Sequence, residues 1–238
     1  MAIQKTEGVI LKAERFREKS LLIDFYTREF GKIKGLLKGK ASIQSPVYTE
    51  ILFYPRKKGL HFISECHLKD SFANLNKSLL ALGAANYFSE LVNELTFPEH
   101  EDKRLFDLLL PAISFLAKKN ILDPDIKQLI SVFEIKLLSL LGVFPSLENL
   151  PNLYLRSVGG SALPGTVACL SYLKKEGIKK GLSLRISPQI NKQINEVLKN
   201  LLSSHLQKEL KTQEFLEKVI VASYKPQVSS YKQEKPKV

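Results

Sequence analysis

Through the first seventy residues, apolar and polar positions alternate with a period of two, and the alternation breaks at short intervals. Successive side chains of a strand point to opposite faces, so this pattern predicts strands. Five segments carry it: 3–13, 20–27, 32–38, 47–54 and 60–69. The breaks are turn-like: Arg28-Glu29-Phe30-Gly31, a Ser/Gln-rich loop closed by Pro46, and the basic stretch Pro55-Arg56-Lys57-Lys58-Gly59. Five short strands with no long helix among them predict a small closed or half-open barrel. An OB-fold has that strand count, and so do SH3-like barrels.

The third strand is the most informative. Ile33 and Leu37 share a phase with Gly31, Gly35 and Gly39, while Lys32, Lys34, Lys38 and Lys40 take the opposite phase with Leu36 between them. The lysines should therefore line one face with Ile33 and Leu37 turned inward. Two readings fit: a DNA-contacting face, or an edge strand guarded by lysines against aggregation.

From about Asn76 the period becomes helical. Leu79, Leu82, Asn86, Leu91 and Leu95 make one stripe, ended by Pro98; Leu105, Leu108, Leu109, Ala112, Phe115 and Leu116 make another, which Pro111 should kink or interrupt. The third helix has Asp123 as N-cap, Pro124 at the first position, and Gly142 at its stop. Residues 145–165 read as a loop rich in Pro, Gly and Asn. Helical pattern returns at 167–175, a Gly/Lys stretch follows at 177–181, and Ser187-Pro188 opens another helix. A last helical segment runs through Leu206, Leu210, Phe215, Leu216 and Val219, and the polar, basic residues 225–238 read as a disordered tail. The expected organisation is α+β and multidomain: an OB-fold barrel over 1–75, a mostly α-helical domain over 76–224 with a loop insertion at about 145–165, and the tail.

Charge sharpens the functional reading. The 238 residues carry a formal net charge of +12, unevenly spread. Residues 1–72 hold fourteen Lys/Arg against eight Asp/Glu, and residues 174–238 hold fourteen against six, around a slightly acidic middle. Two basic ends favour a polyanionic partner, because neutralising phosphates releases counterions. Cys66 and Cys169 lie far apart, so a disulfide framework is not expected; with no apolar signal segment or membrane-length run, the cytoplasm is the expected compartment.

Candidate chemistry is sparse. The segment from Gly31 to Lys40 fails as a phosphate-binding loop: three residues, not four, separate Gly35 from Gly39, Lys40 precedes Ala41, and strands flank it. His61, Glu65 and His67 could share a strand face able to hold a metal, though surface polarity explains them as well; Cys66, in phase with Phe62 and Leu68, reads as a small buried hydrophobe. No metal, cofactor or nucleophile set is expected, nor an enzyme. A nuclease would need clustered acids, and Asp24 and Asp70 are the only aspartates of residues 1–72. Aromatics interleave with charge: Phe16 between Arg15 and Arg17, Phe25-Tyr26, Phe30, Phe53-Tyr54 before Arg56, and Phe62. Most should be core, with Phe16 and Tyr54 the best candidates for stacking on bases.

Three blocks in order resemble a known family: Thr6–Leu11 with Glu18-Lys19-Ser20, the run from Phe25 through Gly35 and Lys38-Gly39; then Phe133 through Pro145; then His205 through Leu216. They look like the bacterial DNA repair protein RecO family. The resemblance implies an N-terminal OB-fold followed by a helical domain. It also implies a recombination mediator that binds single- and double-stranded DNA, anneals complementary strands, and helps load RecA onto strands coated by single-stranded-DNA-binding protein. Implied partners are RecR, the C-terminal tail of that coating protein and, in some lineages, RecF, with a cytoplasmic, nucleoid-associated location. Many members carry two Cys-x-x-Cys pairs that bind zinc; here residues 146–154 have no cysteine and only Cys169 remains of the second pair, so zinc is not carried over. Residues 145–165 are expected to be held instead by Leu147, Leu150, Leu153, Tyr154 and Leu155. The expected DNA contacts are Arg15, Arg17, Lys32, Lys34, Lys38, Lys40, Arg56, Lys57 and Lys58, with Lys174, Lys175, Lys179 and Lys180 as a second surface. The alternative is an adaptor whose basic ends hold acidic protein tails and which ignores naked DNA.

Overall fold

The alternating segments close on themselves. Strands β1 (Gln4–Arg15), β2 (Ser20–Thr27), β3 (Gly31–Lys38), β4 (Val47–Tyr54) and β5 (His61–Asp70) form a closed barrel in the order β1-β2-β3-β5-β4, an OB-fold. This computed structural model describes residues 2–17, 19–39, 43–57, 59–146 and 164–223. Lys40, Lys58, residues 147–163 of the loop insertion expected at about 145–165, and the expected tail at 225–238 lie outside the described residues.

All ladders are antiparallel except β3 with β5, where Gly35–Leu37 pair in parallel with His61–Ile63. Gly35 is required there, because a Cβ would enter the space of the Ile63 side chain. Ile10, Leu21, Ile23, Phe25, Ile33, Val47, Ile51, Phe53 and Ile63 fill the barrel. Gly8-Val9-Ile10-Leu11 does not alternate because both of its faces are covered. Ile10 points into the barrel, while Val9 and Leu11 join Tyr26 against the helices, helped by a register shift between Ile10 and Lys12.

Two strand-level expectations change. Lysines guarding an open edge do not explain β3, which has β2 on one side and β5 on the other. Where β5 stops short, Lys32 bridges Pro98, and the Glu99 N–H donates to the Lys32 carbonyl at 2.8 Å. Secondly, β5 carries an extra residue opposite Leu52/Phe53, which flips its phase after Ile63. His61 is buried while Glu65 and His67 are exposed, so the three do not share a face. Cys66 packs on the barrel core as expected, but Phe62 is only half-buried and Leu68 is 62% exposed.

A 3-10 turn (Ala73–Lys77) leads into helices α1 (Leu79–Leu95), α2 (Lys103–Leu116), α3 (Asp123–Leu140), α4 (Pro164–Lys175), α5 (Ile178–Ser183), α6 (Pro188–His205) and α7 (Lys211–Ser223). Ser78 and Ser187 cap α1 and α6 by accepting from the Ala81 and Ile190 amides. α2 runs on through Pro111. Leu122, not Asp123, occupies the cap position of α3, so Asp123 and Asp125 act within its first turn, where acids complement the helix dipole. Gly142, at φ +73°, turns the chain so that the Val143 and Phe144 amides donate back to the Leu138 carbonyl. The Gly/Lys stretch is itself helical as α5, tied to α3 by the Gln128 side-chain amide, which donates to the Gly181 and Leu184 carbonyls at 2.7 Å each. The last segment is likewise redrawn: Leu206–Leu210 is a link between α6 and α7, and Glu90 of α1 accepts from the first amides of α7.

The helical core is centred on Phe88 of α1 stacked on Phe133 of α3, ring centroids 3.9 Å apart. Beside them lies Glu134, more than nine-tenths buried, accepting the Tyr87 hydroxyl proton at 2.6 Å. Burial pushes its carboxyl up to about 7, against the smaller opposing effect of the Tyr87 hydrogen bond. The folded state therefore holds this proton more tightly than the unfolded chain. The stabilisation is present below about pH 4.5 and is lost as pH rises through about 7. Glu134→Gln keeps an acceptor for Tyr87, so urea unfolding should show equal stability near pH 4.5 and a gain of about 3 kcal/mol over the parent near pH 8.

Candidate nucleic-acid interface

Strand register assembles one outward row across four strands. Leu22 pairs with Leu36, Leu36 with Phe62, and Phe62 with Tyr54. All four are partly or well exposed, Tyr54 at 40%. Tyr54 and Phe62 stack on each other with centroids 6.1 Å apart. The row starts beside the β1–β2 loop, since Leu22 also pairs with Glu14, and it ends where the β4–β5 loop leaves Tyr54. The face thus offers flat apolar and aromatic surface between two loops.

Both loops are basic. The first carries Arg15, Phe16, Arg17 and Lys19, with the Arg17 guanidinium 5.4 Å above the Phe16 ring; Phe16 is 36% exposed. Lys38 stands beside it, because the Gly39 amide donates to the Lys19 carbonyl, and its ammonium lies 5.8 Å above the Phe62 ring. The second loop carries Arg56 and Lys57. Buried His61 holds this loop: its Nδ1 accepts from the Arg56 amide at 3.1 Å, which leaves Nε2 as the N–H facing Glu99 at 3.4 Å.

Ion pairing divides the barrel cations into two groups. Five of the described ones have an acidic partner: Lys5 with Glu50, Lys12 with Glu14 beside the start of the row, Arg28 with Asp107, Lys34 with Asp24, Lys69 with Glu7. Arg15, Arg17, Lys19, Lys38, Arg56 and Lys57 form no ion pair among the described residues. Unpaired cations gathered at both ends of an aromatic row are free to meet phosphates while bases stack between them.

The expected lysine face of β3 is not uniform. Lys38 is exposed, Lys34 is paired with Asp24 at 3.2 Å, and Lys32 is turned to α1, donating to the Asn93 carbonyl at 2.6 Å. Half-burial pulls the Lys32 ammonium below the usual lysine range, against the pull of Asp24 and Glu94. Lys32→Met should cost about 1–2 kcal/mol in urea unfolding and leave DNA affinity within about twofold. Phe25, Tyr26 and Phe53 are core residues, and Phe30 packs on Phe53.

Of the second basic set, Lys174 and Lys175 end α4, where cations complement the helix dipole, and Lys174 lies 5.1 Å above the Phe144 ring. Lys180 is paired with Glu176 at 2.7 Å, and Lys179 and Lys180 line an open groove between α2, α3 and α5 with Arg104 and Lys136. Lys136 is occupied by the Lys174 carbonyl, and Arg104 by Asp102. Sequence reasoning missed Lys19, Leu22 and Leu36, and left Phe62 among the aromatics expected to be core. Leu36 was visible as the apolar residue on the lysine phase of β3. Among the described residues no three His, Cys, Asp or Glu side chains converge as a metal site, and no helix is long and apolar enough to cross a membrane.

Comparison with known proteins joins these features. Residues 1–72 match the family model described as Recombination protein O N terminal, and residues 76–150 match Recombination protein O C terminal. The chain is similar to the DNA repair protein RecO of Pelotomaculum thermopropionicum, 31% identical over 156 residues, covering 63% of this chain and 59% of that protein. It is also similar to those of Enterococcus faecalis, 29% over 153 residues (61% and 57%), and Clostridium novyi, 30% over 150 residues (60% and 57%). The chain thus spans less than two thirds of the length of these relatives. The two family models fall in order on the barrel and on the helices that follow it, and together they take in more than half of the chain, which belongs to the RecO family.

Proposed function

We propose that this protein acts in DNA repair as a non-enzymatic recombination mediator, binding single-stranded DNA across the outward face of its barrel. The observation that carries this reading is the division of the barrel cations: among the described residues, Arg15, Arg17, Lys19, Lys38, Arg56 and Lys57 at the two ends of the Leu22–Leu36–Phe62–Tyr54 row form no ion pair, whereas Lys5, Lys12, Arg28, Lys34 and Lys69 do. A single strand laid along the row would place phosphates against Arg17, Lys19 and Lys38 at one end and Arg56 and Lys57 at the other. Lys40 and Lys58, continuing these two basic stretches in sequence, belong to the same proposal. Bases would stack on Tyr54 and Phe62, a mode that tolerates any sequence because every base has a π-face.

Annealing follows without covalent chemistry. A second strand held on the α4–α5 lysines, Lys174, Lys175, Lys179 and Lys180, raises the local concentration of complementary bases, and the cations screen strand repulsion. Loading of RecA, and contacts with RecR, RecF and the acidic tail of the single-strand-coating protein, extend this reading from the family. The test is ATP-independent annealing of fluorophore-labelled complementary oligonucleotides across a salt series. Acceleration that fades with salt supports the mediator; no acceleration and no binding at low salt removes it. The stacking component is tested by Tyr54→Ala with Phe62→Ala, which should weaken single-strand binding about tenfold or more with an unchanged salt slope, and weaken duplex binding less.

A further inference from the structure

A second candidate site lies away from the barrel face. A cavity of about 270 Å³ sits where α3, α6 and α7 meet beside α1. Helix bundles bury apolar stripes at such junctions, and here Ile130, Leu202, Leu216 and Ile220 share the wall with a set of polar side chains. Glu134 lies at it with only 8% of its surface accessible, and one carboxylate oxygen is taken by the buried Tyr87 hydroxyl. Ser131, one turn earlier on α3, donates to the Asn195 side-chain oxygen of α6 at 3.1 Å. Asn191 and Gln213 complete the polar wall, and a Lys199–Glu217 ion pair at 3.4 Å spans α6 and α7 beside it.

The carboxyl of Glu134 has no cationic partner among the described residues. No ion pair to it is formed by a lysine or arginine of the described residues, and burial rather than any charge dominates its acidity. A nearly buried acid at a cavity with polar side chains on one wall is best satisfied by a group that brings both a positive charge and several N–H donors. Amide and hydroxyl oxygens in the wall can accept the remaining N–H groups. The volume lies just below the usual small-molecule range, so it suits a compact group.

We propose that this cavity binds a small organic cation through an ammonium or guanidinium group seated on Glu134 and hydrogen-bonded by the polar side chains of α6 and α7. The site is separate from the DNA-binding reading, and neither depends on the other. Because the ligand pairs with the ionised carboxyl, binding must release a proton and strengthen with pH. Tyr87 from α1, Lys127 from α3, Lys199 from α6 and Glu217 from α7 are the other ionisable groups around the cavity.

The test is titration of the full chain with methylguanidinium, followed by the side-chain amide resonances of Asn191, Asn195 and Gln213. N-methylurea, its neutral analogue, and sodium chloride at matched ionic strength serve as controls. The proposal expects saturable shifts with methylguanidinium alone, about 30-fold weaker near pH 5.5 than near pH 8, and abolished in Glu134→Gln. Thermal melting checks that this variant is folded, and the pH comparison on the parent stands without it. A blocked Gly-Arg-Gly peptide separates the sources of the cation: binding as tight as methylguanidinium assigns the site to a partner's arginine side chain, and exclusion of the peptide assigns it to a free small cation. Equal binding of N-methylurea, undiminished binding in Glu134→Gln, or no saturable shift overturns the proposal.

Discussion

Reversing Arg17, Lys38 and Arg56 together to glutamate should weaken binding of a single-stranded oligonucleotide about 100-fold near 0.1 M salt. The estimate rests on counterion release, which contributes a slope of about 0.7 per single-strand phosphate neutralised. Three lost contacts lower the slope of log affinity against log salt by about 2, and a tenfold dilution from a 1 M reference then corresponds to roughly two decades. The three residues come from the two loops and the end of β3, so the variant removes contacts along the whole row rather than at one end. Folding should be unaffected, because none of the three makes an internal ion pair among the described residues and all are exposed. The control is Lys77→Glu, Lys118→Glu and Lys119→Glu on the helical part, with the same change in net charge. It should move affinity by no more than about threefold, since long-range steering is screened within about a Debye length. Fluorescence anisotropy across a salt series reads both slope and affinity. Equal losses in the two triple variants would mean that net charge, not the barrel face, drives binding.

How much of this was legible beforehand follows from the range of the interactions involved. Strand and helix positions came through because alternation, caps and breakers are local: Ser187-Pro188 and Gly142 mark their helix ends in isolation. The phase of β5 did not, since one inserted residue opposite Leu52/Phe53 reverses the side chains that follow as far as Leu68, where a second shift opposite Tyr48/Thr49 intervenes, and neither leaves a local trace. Helix α5 was hidden for a different reason: six residues bounded and interrupted by glycines are too short to show a helical period, and the Gln128 bonds to Gly181 and Leu184 help hold it. For the interface, residue type alone picked out the basic stretches. Which cations were already occupied was unreadable, because Arg28 finds Asp107 and Lys32 finds Asn93 across long stretches of chain. The stacking row has the same origin. Leu22, Leu36, Phe62 and Tyr54 become neighbours only once strand register is set, and β3–β5 pairing joins residues 26 apart in parallel.

The largest loss of stability is expected from Gly31→Ala, at the seam between barrel and helices. Gly31 opens β3 at φ +61°, a conformation that costs a residue with a Cβ about 1–2 kcal/mol. An added Cβ would also collide with the backbone carbonyl of His100 and lie 3.1 Å from the Glu101 nitrogen. Neither side can yield easily. Thr27 locks the turn, its hydroxyl accepting from the Phe30 amide and donating to the Gly31 carbonyl. The facing segment is held by the Glu99 amide on Lys32, the Lys32 ammonium on Asn93, and the Arg28–Asp107 ion pair at 2.9 Å. Overpacking of this kind costs about 1–3 kcal/mol beyond the backbone strain. The total, about 2–5 kcal/mol, should lower the melting temperature by roughly 5–15 °C for a chain of this size. Gly59→Ala is the internal standard: Gly59 also has positive φ, +87°, but an added Cβ there meets nothing within 4 Å, so it reports the backbone cost alone. The difference between the two variants isolates the collision. Hydrogen exchange should place the excess loss at residues 93–105 and at the start of β3, while the row from Leu22 to Tyr54 keeps its protection and its DNA affinity. If Gly31→Ala is no more destabilising than Gly59→Ala, the close approach of His100 to β3 does not hold the barrel to the helices.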